Sequence, residues 1–277
     1  MRSVSIPIML AIIVSGTGRL HGEATYARDH GETVSTATGA TSLPMSAYSD
    51  KLPPVFPGAT WESRTPGEVG MDAGRLDAAS EYLGGRGCIV RHGYVVYAWG
   101  DQAVRSDIAS AAKPFYAHFL LQAIEDKRLS SMDEPVVHWA PCLEQINAAL
   151  DYKDRRITFR HMANQTSCYG VTDWPGTAYD YNDWQMALFF DSLFLGVYKA
   201  TYETVDEAVL APLLTDLLQC EDKPTMLAFT AGDRPGRIAI SVRDFARFGL
   251  LYLRYGTWNG RQLIRREHVL MAVTSPL

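Results

Sequence analysis

The sequence predicts an α+β protein, in which a small antiparallel sheet flanked by helices is joined to a mainly helical block. Three observations predict it. Residues 88–99 form two β-branched and aromatic runs around Arg91-His92-Gly93, the pattern of a hairpin with glycine at its turn. Residues 72–83 place Leu76, Ala79 and Leu83 at helical spacing behind Asp72, a residue type that caps helix N-termini. From Ser110 to about residue 270 the apolar residues recur mostly at helical spacing, broken by Pro141, Pro175, Pro212, Pro224 and Pro235. A lone hairpin is marginal in water, so further strands are expected to complete the sheet, and none is legible before Leu277.

With 277 residues, 47% of them hydrophobic and 21% charged, the chain can bury a substantial core. Its net charge of −5 and its scattered basic residues offer no electrostatic footprint for nucleic acid. A small-molecule or peptide substrate is the expected partner, and oligomeric state is left open. Arg2, the apolar run 4–14, and the small residues around Gly22 and Ala24 read as an export signal over residues 1–24. The run is too short to span a bilayer, so membrane attachment is expected only if the segment stays uncleaved. Either way the folded part is expected outside the cytoplasm, periplasmic or secreted. Residues 25–53 read as a flexible linker, Ser-, Thr-, Gly- and Ala-rich from 31 to 49, and residues 54–277 as the folded domain.

Export permits disulfides, yet Cys88, Cys142, Cys168 and Cys220 could pair in three ways or remain thiols, and no pairing is assigned. No His pair at zinc spacing, no phosphate-cradling glycine loop and no Gly-x-Ser-x-Gly elbow occurs, so no metal or cofactor is expected.

The chemistry-bearing pattern is Ser110-Ala111-Ala112-Lys113 at the head of an apolar stripe made by Ala112, Phe115, Phe119, Leu120 and Ala123. A helix sets residues three apart on one face, which would make Ser110 and Lys113 neighbours near a helix N-terminus. A serine hydroxyl is a poor nucleophile until a base takes its proton, and a lysine desolvated on an apolar face can serve as one. Pro114 fits a helix only within its first turn, which puts Ser110 at the start.

Several stretches together resemble the serine β-lactamases, penicillin-binding DD-peptidases and related esterases, especially the class C branch. They are Ser110-Ala-Ala-Lys-Pro-Phe115, Ile124-Glu-Asp-Lys-Arg-Leu-Ser-Ser-Met-Asp-Glu-Pro-Val136, Arg156-Ile-Thr-Phe-Arg-His-Met-Ala-Asn-Gln-Thr-Ser167 and Ser241-Val-Arg-Asp-Phe-Ala-Arg-Phe-Gly-Leu-Leu251, in the family's order. The resemblance implies a β-lactamase-like fold and a serine hydrolase that works through an acyl-enzyme on an amide or ester. It matches the family's Tyr-x-Asn element to Tyr181-Asn182-Asp183, making Tyr181 a third catalytic residue and Asp183 a substrate-binding one. Asp183 stands where the family has an amide, and a carboxylate accepts hydrogen bonds where an amide also donates. The family's third element, Lys-Thr-Gly or His-x-Gly on a strand, has no counterpart after Tyr181, so the C-terminal strands are expected to be missing. The competing reading is a catalytically impaired or non-catalytic penicillin-binding relative, or a truncated fragment. The resemblance makes Arg160 and His161 structural, and Asp244 with Arg247 reads as a helix-surface ion pair or packing feature.

Overall fold

The structure is a computed structural model that describes residues 55–226 and 236–274 and the backbone of residues 9–14; the expected linker 25–53 lies outside the described residues. The hairpin forms as expected, from β2 (Arg86–Arg91) and β3 (Tyr94–Trp99), antiparallel with a register shift between Ile89 and Val90. Its two-residue turn holds His92 at φ 56° and Gly93 at φ 91°, the left-handed pair that matches strand twist. Gly93 is also required for space, because a Cβ there would lie 1.8 Å from the Val55 carbonyl oxygen.

The backbone of β1 (Met9–Val14) pairs in parallel with β2, giving the sheet order β1-β2-β3. The sequence assigns residues 1–24 to an export signal and predicts an antiparallel sheet, so it provides no such parallel strand. The β2 edge has unpaired backbone groups that a short apolar segment can satisfy, which is the physical reason a strand settles there.

β2 is buried along four consecutive residues rather than alternately, because both faces of the sheet are covered. Ile89 packs with Val69, Leu76, Tyr94 and Val96 on the side of α1 (Ala73–Leu83). Cys88 and Val90 pack on Val242 and Ala246 of α5 (Val242–Leu253). Asp72 caps α1 by accepting from the Arg75 amide at 2.9 Å, as its residue type predicts.

The main core is built around α2 (Lys113–Glu125), in which Phe115, Phe119, Leu120 and His118 are all fully buried. A helix buried on all sides belongs to a core rather than to an amphipathic surface. Phe115 stacks on Phe248 of α5 with ring centroids 4.0 Å apart, tying the sheet's covering helix to the helical block. At the far end of α2, Glu125 accepts from His268 Nδ1 at 2.7 Å and from the Arg265 amide at 2.8 Å, fastening α6 (Arg266–Val273).

The helical block departs from the expected regular helices. Residues 136–156 form four short 3₁₀ turns, and Asp191–Val197 and Asp206–Thr215 are π-helical, the latter containing Pro212. Of the two readings of Asp244 and Arg247, the packing feature holds and the surface one does not, because both are fully buried and pair with each other at 3.7 Å. Asp244 accepts from the Glu221 and Asp222 amides at 2.7 and 2.8 Å. Arg247 donates to the carbonyls of Gly58 and Leu218, each at 2.9 Å, and to Glu221 at 2.8 Å. Apolar periodicity cannot register such a network, because these hydrogen-bond partners lie 22 to 189 residues away. The four cysteines are unpaired thiols here, and no described helix is long and apolar enough to cross a membrane.

Candidate active site

Ser110 lies in a 3₁₀ turn, Ala109–Ala112, that runs directly into α2. Pro114 sits in the first turn of α2, where its missing N–H costs nothing, as the sequence requires. The turn follows β4 (Ser106–Asp107), which pairs antiparallel with β5 (Ala239–Ile240). Ser110 is exposed, and Lys113 is half-buried one turn along.

Tyr181 reaches this point from a loop fixed at both ends. Upstream, Thr158 and His161 cap α3 (Phe159–Ala163) reciprocally: the His161 amide donates to Thr158 Oγ1 at 3.3 Å and the Thr158 amide donates to His161 Nδ1 at 3.2 Å. Burial holds His161 below the ordinary histidine pKa, so it stays neutral and accepts that bond. After α3 the Gly176 amide donates to Thr166 O at 2.7 Å and the Asp180 amide to Gln165 O at 2.8 Å, closing the loop. Gly176, at φ 86°, passes so close to His161 that a Cβ would lie 3.0 Å from its Nε2. Beneath the loop, fully buried Lys153 donates to Cys168 O at 2.8 Å and pairs with buried Asp154, which accepts from the Gly170 amide at 3.1 Å. Downstream, Asn182 caps α4 (Asp183–Phe190), its Oδ1 accepting from the Gln185 amide at 2.7 Å.

Of the four residues singled out in the sequence, three come together. Lys113 Nζ donates to Tyr181 Oη at 2.7 Å, and Tyr181 Oη shares a very short hydrogen bond with Ser110 Oγ. The ammonium also lies 4.3 Å from the centre of the Tyr181 ring. The Lys113 amide donates to the Ser110 carbonyl within the turn, but among the described residues no side-chain hydrogen bond joins Lys113 Nζ to Ser110 Oγ, and both side chains meet the Tyr181 oxygen instead. The bond from Lys113 first, and then that from Ser110, lowers the Tyr181 pKa from its usual value, because both stabilise the phenolate. Asp183 is exposed at the first position of α4, where a helix N-terminus favours negative charge. Its charge opposes the lowering at Tyr181.

The sequence reading passes over Asn182, whose amide anchors α4, and Lys153, whose buried charge supports the loop. Asn182 carries a signal, since Asn is a favoured capping type just before a helix. Nothing local marks Lys153 as buried.

The arrangement can remove a proton from a hydroxyl and hold the resulting base in place with a cation. Residues 73–276 match the β-lactamase family, and the chain belongs to that family. The fold is shared with solved structures. These include a provisionally named β-lactamase from Bacteroides dorei (19% identity, TM-score 0.53, covering 72% of this chain and 68% of that one) and a provisionally named 6-aminohexanoate-dimer hydrolase from Bacillus anthracis (14%, 0.56, 70% and 60%). A third is the octameric penicillin-binding protein homologue from Pyrococcus abyssi (15%, 0.54, 74% and 62%). The matched region thus spans about two thirds of the length of these chains or slightly less. No curated protein matches the chain.

Proposed function

We propose that the protein is a serine hydrolase that forms an acyl-enzyme on Ser110, with Tyr181 as the proton-transferring base and Lys113 as the cation that keeps Tyr181 basic at lower pH. The observation behind this reading is the Ser110–Tyr181–Lys113 hydrogen-bonded chain, in which the phenol touches both other groups. Ser110 Oγ attacks the carbonyl carbon of an ester or amide while its proton passes to the Tyr181 oxygen. The tetrahedral intermediate collapses as Tyr181 returns that proton to the leaving alcohol or amine. Water then attacks the Ser110 ester by the same proton route and releases the acid.

The charge on the carbonyl oxygen needs donors. Ser110 lies in the first turn of its 3₁₀ helix, where backbone N–H groups have no partner within the helix, so its own amide is one donor. The substrate class is an ester, a β-lactam or a D-Ala peptide, small enough to lie against the exposed Ser110 and Tyr181. The export-type residues 1–24 support action outside the cytoplasm.

The test is turnover of a p-nitrophenyl ester, a chromogenic cephalosporin and a D-Ala-D-Ala peptide by the wild type and Ser110→Ala. Wild type should release chromophore from at least one in a burst equal to enzyme, followed by steady turnover, and Ser110→Ala should release none. Equal rates in both proteins overturn the proposal. A burst without turnover would instead favour a penicillin-binding relative that acylates and stalls.

A further inference from the structure

The nucleophile turn has a feature that the three reacting groups do not explain. Ala109, immediately before Ser110, sits at φ 48°, a left-handed conformation that residues with a Cβ adopt uncommonly. Such a conformation persists only where its surroundings impose it. Here the imposing group is a side chain: Asp107 Oδ1 accepts from the Ala109 amide at 2.7 Å. Its other oxygen, Oδ2, accepts from Arg237 Nη1 at 2.8 Å.

We infer that Asp107 is the positioning residue of the nucleophile, holding the left-handed Ala109 that aims Ser110 at Tyr181, and that Arg237 clamps Asp107 in that posture. This inference rests on the serine hydrolase reading above.

The backbone around the pair explains why it is rigid. Asp107 is paired with Ala239 in the β4–β5 ladder, and the Ile108 amide donates to Ile238 O at 3.1 Å, so both partners' strands are locked in register. Tyr116 of α2 donates from Oη to Gly236 O at 2.6 Å, tying the residue before Arg237 to the helix that carries Lys113. The same short stretch of backbone therefore fixes both the clamp and the helix that carries Lys113. Arg237 also lies within electrostatic reach of Tyr181 and Asp183, both of which favour its charged form.

As a half-exposed ion pair, Asp107–Arg237 should contribute little to global stability, since such pairs are screened by solvent. Its effect should fall on the geometry of attack, where a displacement of about 1 Å can cost ~100-fold in rate. The experiment measures p-nitrophenyl ester kinetics, the rate of Ser110 labelling by a fluorophosphonate, and thermal melting for wild type, D107A, D107N and R237Q. D107A should lower kcat and the labelling rate about 10- to 100-fold with KM within about threefold and little change in melting temperature. D107N keeps an oxygen for the Ala109 amide and should recover most of that loss, whereas a purely structural role predicts no split between kcat and KM and no recovery. R237Q should slow labelling several-fold while leaving the Ala109 bond intact, and it decides the matter if D107A does not fold. Wild-type rates in D107A, in R237Q, or a D107N as slow as D107A overturn the inference. If Ser110→Ala labels as fast as wild type, the hydrolase reading itself falls; if only Ser110 labels but Asp107 variants match wild type, this inference alone falls.

Discussion

Lys113 donates to Tyr181 at 2.7 Å while the same tyrosine oxygen bonds Ser110, so the lysine acts on the serine through a phenol. On the proposed serine hydrolase reading, that relationship makes Tyr181 the base. An ammonium held against a phenol oxygen stabilises the phenolate, and a phenolate in contact with a serine hydroxyl can take its proton.

The kinetic consequence concerns pH. The base must be ionised, so kcat/KM should rise with pH through the Tyr181 pKa, which lies below the ordinary tyrosine value of about 10. Lys113→Met removes the largest cause of the lowering, and the acidic limb should move to higher pH. Tyr181→Phe should lose about 10²–10⁴ in kcat/KM at every pH. A pH–rate profile of the three proteins checks this, and an unmoved limb in Lys113→Met would contradict the coupling.

Stability should depend on pH through His118, for a separate reason. Burial against Phe119, Phe248 and Tyr252 pushes its pKa down to about 3, so the folded protein keeps it neutral. In the unfolded chain histidine titrates near about 6.5. The stabilisation is therefore present above pH ~6.5 and is lost as pH falls toward the folded value, by about 5 kcal/mol. Denaturant unfolding from pH 7 to 4 should show this slope in wild type and a flatter one in His118→Gln.

Arg247 is the second stability test. Removing its guanidinium by Arg247→Met leaves Glu221 and Asp244 with less countercharge and the carbonyls of Gly58 and Leu218 without their donor. Breaking a buried pair from one side costs about 3–5 kcal/mol. A loss below about 1 kcal/mol in urea unfolding would show that Arg243, which also pairs with Glu221, suffices alone.

Gly93→Ala tests the hairpin. A Cβ at φ 91°, aimed at a carbonyl oxygen 1.8 Å away, forces the turn or the 55–56 segment to move. The expected cost is at least about 2 kcal/mol, read as a fall in melting temperature.

These residues also show what the sequence makes legible. Gly93 and Asp72 act within their own turn or helix end, so residue type alone announces them. Ser110, Lys113 and Tyr181 are legible through the order of neighbouring segments, although the direct serine–lysine contact expected from helical spacing gives way to a contact through Tyr181. The carbonyls that Arg247 and Lys153 bond lie 15 or more residues away, and no local pattern separates a buried charge from a solvated one. Asp107 and Arg237 lie 130 residues apart and meet only because β4 and β5 pair. The π-helical stretch Asp206–Thr215 escapes a 3.6-residue periodicity because its buried residues Val209, Leu210, Leu214 and Thr215, with Val205 before them, recur four to five residues apart, the spacing of i→i+5 hydrogen bonding.

The proposed reaction is covalent: Ser110, activated through Tyr181, becomes acylated. Intact-mass spectrometry after reaction with a fluorophosphonate measures it most directly. Wild type should gain one adduct, mapped to the peptide bearing Ser110, with Ser110→Ala unmodified and Tyr181→Phe labelled far more slowly. Equal labelling of wild type and Ser110→Ala, or wild-type speed in Tyr181→Phe, would contradict the account.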